Sequence, residues 1–380
     1  MLIGLCIDNR RGYENGLLLG IAAYARPHKP WIFEAVWPPL EGLAALIAKK
    51  PSGILLRTRD PLALKLVVGS GISAVNIDNL TPPMGMGQVC NDNVKVGELA
   101  AEHFLNRGHT RFAYSGHPTD FEDPRHLGFS SRLKKAGFSC AAKWANLIAG
   151  SPTSIEANYR ELVEWLVQLP KPVALLCDGD ARASGVVERC REWGLRVPEE
   201  VAVLGIDNTD SLCCLADPPL SSVQTAAQSV GYEAAHLLDQ LMRGEAPASL
   251  SIKVPPVRVV SRRSTDAVSA PDPLVQEALR YMKTHLVDKE GLEAVSQHFK
   301  VSRRTLERRF RECLGLAPAE AWVRFRVEEA QRLLADTDQN MATVAKRCGF
   351  HLSKRMAEVF RRTTGRTPRE HRQLARPEVG

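Results

Sequence analysis

The sequence predicts a two-lobed α/β domain, with parallel sheets and helices on both faces, followed by an all-α domain with two helix-turn-helix units. Short apolar runs alternate with helical patterns over the first 260 residues, which is typical of parallel sheets. A segment near the C-terminus recurs at a fixed offset of 50 residues. The excess positive charge of the chain lies entirely in the last 110 residues.

The first part of the chain contains seven apolar runs of strand length. Because strand, helix and strand repeat in this order, we expect parallel strands joined by crossover helices. Seven strands are too many for one simple sheet, so we predict two lobes. The apolar runs are residues 2–7, 32–36, 53–56, 74–77, 112–114, 173–177 and 201–206. The helical patterns are residues 15–25, 40–49, 96–106, 128–135, 155–168, 183–193 and 229–242.

Polar side chains follow several of these strands. Asp8 and Tyr13 come after the first strand, and Asp180 and Asp207 come after the last two. Arg125 follows the fifth run and is predicted to lie in a loop. Ligands of such sheets bind at the carboxyl ends of the strands, and carboxylates with an arginine suit a small polyhydroxylated ligand. Alternatively, these residues are ordinary helix caps and loop residues.

The C-terminal segment is duplicated. A fixed offset indicates that one supersecondary unit has been used twice. The matching pairs at an offset of 50 are Phe310 and Phe360, Arg311 and Arg361, Gly315 and Gly365, Pro318 and Pro368, and Glu320 and Glu370.

In the first copy, the pattern predicts a short helix at 291–298, a turn, and a second helix. Ser302 is the predicted N-cap of that second helix, because its hydroxyl can accept from exposed N–H groups. Leu306 and Phe310 point inward at helical spacing, and Gly315 ends the helix.

In the second copy, the short helix is predicted at 342–348. The pattern predicts Ser353 as the N-cap of the following helix, with Met356 and Phe360 inward. Gly365 ends this helix as Gly315 ends the first. Prolines three residues after both glycines open the next helices.

A short helix, a turn and a second helix with a basic outer face are typical of DNA major-groove recognition. Arginine and lysine neutralise phosphates and can pair with guanine. A solvated amphipathic helix pair is the alternative, which duplication disfavours. The predicted DNA-binding residues are Ser302, Arg303, Arg304, Thr305 and Arg308 in the first copy and Ser353, Lys354 and Arg355 in the second.

A long helix is predicted between the two copies, at residues 318–334. Its length of about 25 Å follows from a rise of 1.5 Å per residue. Such a rod could place the two recognition helices in successive major grooves, about 34 Å apart.

The charge distribution agrees with a nucleic-acid-binding module joined to a neutral domain. Residues 271–380 hold 22 Lys+Arg and 15 Asp+Glu, a net charge of +7, whereas residues 1–270 hold 28 of each.

Several other classes of protein are disfavoured. The nine cysteines include no Cys-x-x-Cys pair, so neither a zinc ribbon nor a redox pair is expected. The sequence lacks Gly-x-Ser-x-Gly, His-Glu-x-x-His and a Walker lysine, so no enzyme, metal or cofactor is predicted. No apolar run approaches the roughly 20 residues of a membrane span. The N-terminus begins with a strand and not a signal peptide, which favours the cytoplasm.

Two resemblances follow from longer motifs. The segment VAKRCGFHLSKRMAEVFRRTTGRTPREHR resembles the AraC-type DNA-binding domain, except at Arg355 and Met356, where two aromatic residues are usual. The segments AAEHFLNRGHTRFAYSG, PRHLGFSSRL, VPEEVAVLGIDN and DPPLSSVQTAAQSVGYEAAHLL resemble the effector domain of LacI-type repressors and periplasmic sugar-binding proteins.

The second resemblance implies roles for the polar residues at the strand ends. Arg125 and Asp207 correspond to the family's hydroxyl-binding arginine and aspartate. Asp180 corresponds to the aspartate of an Asn-Asp pair whose asparagine is replaced by Gly179. Asp8 and Tyr13 lie where the first strand of such domains meets the ligand.

The order of the two domains, and the junction VPPVRVVSRRSTD, resemble XylR-type xylose-responsive regulators. The predicted domains are a periplasmic-binding-protein-like effector domain at 1–263, a linker at 264–273 and an AraC-type domain at 274–380. The resemblance implies a homodimer that activates a carbohydrate-utilisation operon. Its partners would be promoter DNA, RNA polymerase, and xylose or a related sugar. The alternative is a cytoplasmic carbohydrate-binding or processing protein whose basic tail docks on an acidic partner.

Overall fold

The computed structural model describes all residues except 9–11, 29–30, 37–38, 79–83, 118–122, 148–150, 268, 288–290 and 376–380. The chain forms two compact units. Unit 1 comprises Met1–Asp92, Ala226–Pro256 and Gln373–Gly380, and unit 2 comprises Asn93–Thr225 and Val257–Arg372. These units are defined by contacts within the chain. They do not test the predicted domain limits, which stay a prediction.

Twelve β-strands are present among the described residues, numbered in chain order. They are β1 Leu2–Cys6, β2 Ile32–Ala35, β3 Gly53–Leu56, β4 Ala74–Asn76, β5 Gly87–Asn91, β6 Phe112–Gly116, β7 Cys140–Trp144, β8 Val173–Cys177, β9 Val201–Ile206, β10 Ser221–Gln224, β11 Ser251–Val254 and β12 Arg258–Val260.

The same residues form sixteen α-helices and one short 3-10 helix at Arg263–Thr265. The α-helices are α1 Gly12–His28, α2 Pro39–Ala48, α3 Pro61–Gly69, α4 Asn93–Asn106, α5 Pro124–Lys135, α6 Pro152–Gln168, α7 Asp180–Glu192, α8 Asp210–Leu215, α9 Ala227–Met242, α10 Pro273–Thr284, α11 Leu292–His298, α12 Arg303–Leu314, α13 Pro318–Asp336, α14 Met341–Arg347, α15 Ser353–Thr364 and α16 Pro368–Ala375.

Unit 1 is built on a six-stranded parallel sheet with the order β11-β5-β4-β3-β1-β2. One face is covered by α2 and α3, which pack Leu43 and Val67 against Ile54 and Leu56 of β3. The helices α1 and α9 approach each other closely at two glycines. A side chain at Gly20 or Gly231 would meet the backbone of the opposite helix, so only glycine permits this packing.

Unit 2 contains a second six-stranded sheet with the order β12-β10-β9-β8-β6-β7. All neighbouring strands are parallel except β10 and β12. Alternate residues of β8 enter different cores: Leu175 packs with α6 and α7, and Leu176 packs with α4 and α5. Because β8 and β9 are buried on both faces, they read as continuous apolar runs.

The helical part of unit 2 has two cores that share α13. The first core holds Phe310 of α12 together with Trp322 and Phe325 of α13. The second holds Phe360 of α15 and the later residues of α13, such as Leu334. The helix α13 has 19 residues, which gives a length of about 28 Å, and it is the common wall of both helix-turn-helix units.

The predicted fold class is confirmed, with two parallel-dominated sheets and a separate helical core. Each of the seven predicted strands is present. Five further strands were not predicted, and each contains a polar residue or glycine that interrupts the apolar run: β5, β7, β10, β11 and β12. Within the described residues, no helix could cross a bilayer.

Candidate ligand-binding and DNA-binding sites

The turn after β9 is strained. Asp207 and Asn208 have φ angles of 101° and 55°, in the left-handed region that non-glycine residues rarely occupy. Two hydrogen bonds hold the turn: Asn208 N donates to Ser222 Oγ at 3.0 Å, and Thr209 N donates to Asp180 Oδ2 at 2.7 Å. Such strain persists where the surrounding structure fixes it, often at functional sites.

Asp180 is the carboxylate that supports this turn. It is only 3% exposed, and its second oxygen accepts a hydrogen bond from Ser222 Oγ at 2.6 Å. Burial and the nearby charge of Asp207 raise the pKa of Asp180 to about 7. A Cβ at Gly205 would approach Asp180 Oδ1 to 2.2 Å, so that glycine makes room for the carboxylate. Asp180 therefore positions the Asp207 turn, and a direct contact with a ligand stays a prediction.

The prediction that Arg125 lies in a loop is wrong. Arg125 is in the first turn of α5, because Asp123 caps the helix and Pro124 opens it. The Asp123 carboxylate accepts the hydrogen bond of Arg125 N at 2.9 Å. The sequence signal for this cap, an aspartate followed by proline, was present but overlooked.

The guanidinium of Arg125 is fixed from two directions. Its Nε donates to Asn93 Oδ1 at 3.2 Å, and its Nη1 donates to the carbonyl of Asp178. Burial opposes the charge of Arg125, but Asp207 and Asp123 outweigh burial and raise its pKa. Asp207 and Arg125 are thus electrostatically coupled within unit 2.

Three aromatic rings that the sequence did not assign to the site pack together around Tyr114, and one of them, His126, follows Arg125 directly in the chain. The ring centroid of Tyr114 is 4.9 Å from that of His126 and 5.5 Å from that of Trp144. The hydroxyl of Tyr114 donates to Asp123, the cap of α5. Trp144 was missed because it ends an edge strand whose residues are not strongly apolar.

Unit 1 holds the other two predicted ligand-binding residues. Asp8 lies two residues after the end of β1 and is partly buried. Tyr13 lies in the first turn of α1, where its Oη accepts a hydrogen bond from Asn91 Nδ2 at 2.9 Å. The guanidinium of Arg57 lies 5.3 Å from the Tyr13 ring centroid and pairs with Glu14 at 2.8 Å. Arg57 and Asn91 were not predicted as site residues.

The first helix-turn-helix follows the predicted plan. Ser302 caps α12, and its Oγ accepts a hydrogen bond from Thr305 N at 3.1 Å. Leu306 and Phe310 are fully buried. Gly315 ends the helix in the left-handed conformation, with φ of 69°. The turn before the helix places Lys300 at φ of 52°.

In the second copy, the prediction of Ser353 as N-cap is wrong. Ser353 is the first residue of α15, and Leu352 occupies the cap position without a side-chain hydrogen bond. The reason is the offset of 50, which aligns Leu352 and not Ser353 with Ser302. The preceding helix α14 does have a cap, because Asn340 Oδ1 accepts from Thr343 N at 2.9 Å.

The cations predicted to bind DNA fall into two groups. Arg303, Arg308 and Arg355 each pair with a glutamate of their own helix, at 3.0, 2.9 and 3.6 Å. Arg304 and Lys354 are exposed and have no ion-pair partner within the described part of the chain. They are 50 residues apart and both lie at the second position of their helix. Among the cations predicted to bind DNA, these two side chains are therefore the most available for phosphate or base contacts.

A two-sheet, binding-protein-like region joined to a pair of helix-turn-helix units defines a transcriptional regulator that reads DNA and senses a small molecule. Residues 101–265 match the family model of a periplasmic binding protein-like domain. Residues 295–374 match that of a helix-turn-helix domain.

Similar proteins of known name show to which family of transcriptional regulators the chain belongs. The chain is 30% identical over 312 residues to the xylose operon regulatory protein of Escherichia coli (strain K12), covering 81% of this chain and 78% of the relative. It is 28% identical over 288 residues to the protein of the same name from Haemophilus influenzae, covering 75% and 74%. The chain belongs to the family of the xylose operon regulatory proteins.

Solved structures agree with this membership. The structure of the xylose-binding transcription activator xylR covers 98% of both chains, with a TM-score of 0.61 and 25% identity. A complex of the transcriptional regulator CelR with cellobiose covers 69% of this chain and 84% of its own, with a TM-score of 0.56 and 23% identity. The second likeness concerns the fold of the sheet-containing region.

Proposed function

We propose that this chain is a xylose-responsive activator of a carbohydrate-utilisation operon. The observation that carries the proposal is the strained Asp207 turn, which is electrostatically coupled to Arg125 of α5, the helix whose cap Asp123 accepts a hydrogen bond from Tyr114. A carboxylate and a guanidinium fixed in this way can accept from and donate to adjacent hydroxyls of a sugar. The names of the relatives favour xylose as that sugar.

The remaining partners belong to the same proposal. Asp8 and Tyr13 of unit 1 would contribute to sugar binding, and Asp180 would hold the Asp207 turn. The predicted residues of α12 and α15 would contact promoter DNA, with Arg304 and Lys354 foremost. We further propose a homodimer in the cytoplasm that recruits RNA polymerase and has no enzymatic activity.

The sugar is tested by calorimetric titration of the full chain with D-xylose, L-arabinose, D-ribose and D-glucose. We expect D-xylose to bind most tightly, and Asp207→Asn to weaken it by about 10-fold or more, since a hydrogen bond to a charged group contributes roughly 1.5–3 kcal/mol. Glu188→Gln, which changes an exposed carboxylate of α7, is the matched control. If none of the four sugars binds, the sensing function is wrong.

DNA binding is tested by fluorescence anisotropy with duplex fragments from upstream of sugar-utilisation genes. We expect tight binding to one fragment and at least about 1,000-fold weaker binding to a scrambled duplex. Equal affinity for the scrambled duplex and for polyglutamate would instead favour a basic tail that docks on acidic partners.

A further inference from the structure

The long helix α13, shared by both helix-turn-helix units, also lies against the α/β part of unit 2. Three polar contacts join it to this surface, and all of them bridge at least 78 residues of sequence. They are Arg107 Nη2 to Glu328 Oε1 at 2.9 Å, Arg258 Nη2 to Asp336 Oδ1 at 2.7 Å, and Arg324 Nη1 to Asn106 Oδ1 at 2.8 Å.

Arg107 makes this attachment stronger than a surface ion pair. Its side chain is 0% exposed, whereas Glu328 is 28% exposed. The guanidinium also donates to the carbonyl of His103 at 3.2 Å and to Ser261 Oγ at 2.8 Å. Exposed ion pairs contribute little to stability, but a buried arginine that loses its partners is costly. This contact therefore fixes the middle of α13.

The chain that leads into the helical region is also held in place. Ser264 and Thr265, at the start of the predicted linker, are buried. Ser264 Oγ donates to the carbonyl of Val203 at 2.7 Å, and Thr265 Oγ1 donates to Ser221 Oγ at 2.7 Å. Further on, Ser269 N donates to the carbonyl of Arg107 at 2.8 Å. These described parts of the segment are thus attached to the α/β surface and are not a free tether.

The position of Arg258 in the chain relates the contact with α13 to the proposed sugar-binding site. It lies in β12, two residues after the chain passes from unit 1 to unit 2 at residues 256–257. Its register partner in β10 is Gln224, and the chain passes back to unit 1 at residues 225–226. Thr225 Oγ1 donates to Asp207 Oδ1 at 3.3 Å. Arg258 therefore lies next to two of the points at which the chain passes between the units. Its register partner Gln224 directly precedes Thr225, which contacts the proposed sugar-binding carboxylate.

Asp336 is the partner of Arg258 in the DNA-binding region. It is the last residue of α13, close to the core of the second helix-turn-helix. Because α13 is the common wall of both cores, a displacement of its end changes the placement of α15 relative to α12. A shift of β12 can reach α13 through the Arg258–Asp336 pair, while Arg107 holds the helix at a second point.

We propose that Arg258 and Asp336 are positioning residues that transmit a change at β10 and β12, next to the proposed sugar-binding carboxylate, to the recognition helices. This inference rests on the proposed function, because it requires that a sugar changes DNA binding. It predicts a specific defect in which sugar binding and DNA binding both persist but no longer affect each other.

The test uses the full chain, D-xylose and the promoter fragment selected above. The measured quantity is the ratio of DNA affinities with and without D-xylose, which in typical allosteric proteins is about 5- to 150-fold. We expect Asp336→Asn to reduce this ratio to within about twofold of 1. The dissociation constants for D-xylose alone and for DNA alone should change by less than about twofold. A merely structural defect would not remove the coupling while leaving both affinities intact.

Two further variants sharpen the test. Glu329→Gln removes a carboxylate from the same helix whose partner, Arg332, is in α13 itself, so it should retain the wild-type ratio. The double variant Arg258→Gln/Asp336→Asn should lose no more coupling than Asp336→Asn alone, because both changes break one pair. Asp336 is 43% exposed, so Asp336→Asn is expected to fold and decides the matter even if Arg258→Gln does not.

The outcomes separate the two proposals. If D-xylose leaves the DNA affinity of the wild-type chain unchanged, the proposed function is wrong and the inference falls with it. If the wild type responds and Asp336→Asn responds equally, only the inference is overturned.

Discussion

The two helix-turn-helix units share α13 and one pattern of buried residues, yet they begin their recognition helices differently. The first copy has a serine cap, Ser302, with a hydrogen bond to Thr305 N. The second has Leu352 in that position and no side-chain cap. At the second position of the recognition helix, the exposed cation is an arginine in the first copy, Arg304, and a lysine in the second, Lys354. The first copy is therefore better suited to base recognition, and the second to phosphate contact.

The largest expected effect concerns the cores. Phe310→Ala and Phe360→Ala each remove a fully buried ring, and each should destabilise the chain by about 3–5 kcal/mol. Because α13 belongs to both cores, we expect each change to weaken DNA binding by the other copy as well. Chemical denaturation measures the free energy of unfolding. A loss confined to the altered copy, detected by hydrogen exchange, would show that the copies are independent.

The cations distinguish the two copies directly. Arg304→Ala should weaken specific binding by about 1–3 kcal/mol if this side chain reads a guanine. Lys354→Ala should weaken binding to specific and random duplexes equally and reduce the salt dependence by about one phosphate contact. Anisotropy titrations at several salt concentrations measure both. An equal loss on random DNA for Arg304→Ala would make Arg304 a phosphate contact too.

A buried histidine gives the second copy its own pH dependence. His371 is buried beside Phe360, whereas the first copy has Ala321 at the matching position. Burial, followed by the charge of Arg366, lowers the pKa of His371 to about 3. The unfolded chain, with a histidine pKa near 6.5, therefore binds this proton first as the pH falls.

The consequence is a loss of stability between about pH 6.5 and pH 3, and none above it. Between pH 7.5 and pH 5.5, we expect His371 to account for roughly 1–1.5 kcal/mol of the loss. Comparing the wild type with His371→Leu isolates this contribution, since the buried histidines of the α/β part titrate in both. Identical pH profiles would show that His371 is not shielded from protons.

The smallest effect concerns the caps. Ser302→Ala should destabilise the first copy by about 1 kcal/mol, because an N-terminal N–H loses its acceptor. Leu352→Ser should stabilise the second copy by up to about 1 kcal/mol by supplying the missing acceptor. Thermal denaturation measures both changes. No gain from Leu352→Ser would mean that its side chain contributes elsewhere.

Much of the fold could be predicted because burial leaves a direct pattern in sequence. The strands β8 and β9 were predicted with their observed bounds, since both faces of each strand are apolar. The glycines that end α12 and α15 were equally clear, because few other residues adopt their φ angles. By contrast, β10 reads SSVQ. Its serines are used for hydrogen bonds, because Ser222 donates to Asp180 and Ser221 accepts from Thr265.

The candidate sites were only partly predictable. Asp207 and Arg125 were found from the strand ends and from a family resemblance, and their contact with a ligand stays a prediction. The supporting role of Asp180 depends on Ser222, 42 residues further along the chain, and no local pattern shows such a pairing. The same holds for the rings around Tyr114.

The repeated helix pairs, the alternating strands and helices, and the charge separation between the two parts of the chain are all visible in the order of the residues. These features are local, because they depend on periodicity, caps and composition within a few turns. The attachment of α13 through Arg107 and Arg258 depends instead on how distant segments fold against one another. These contacts join residues that are 78 to 221 positions apart in the chain. No local sequence pattern shows such a pairing.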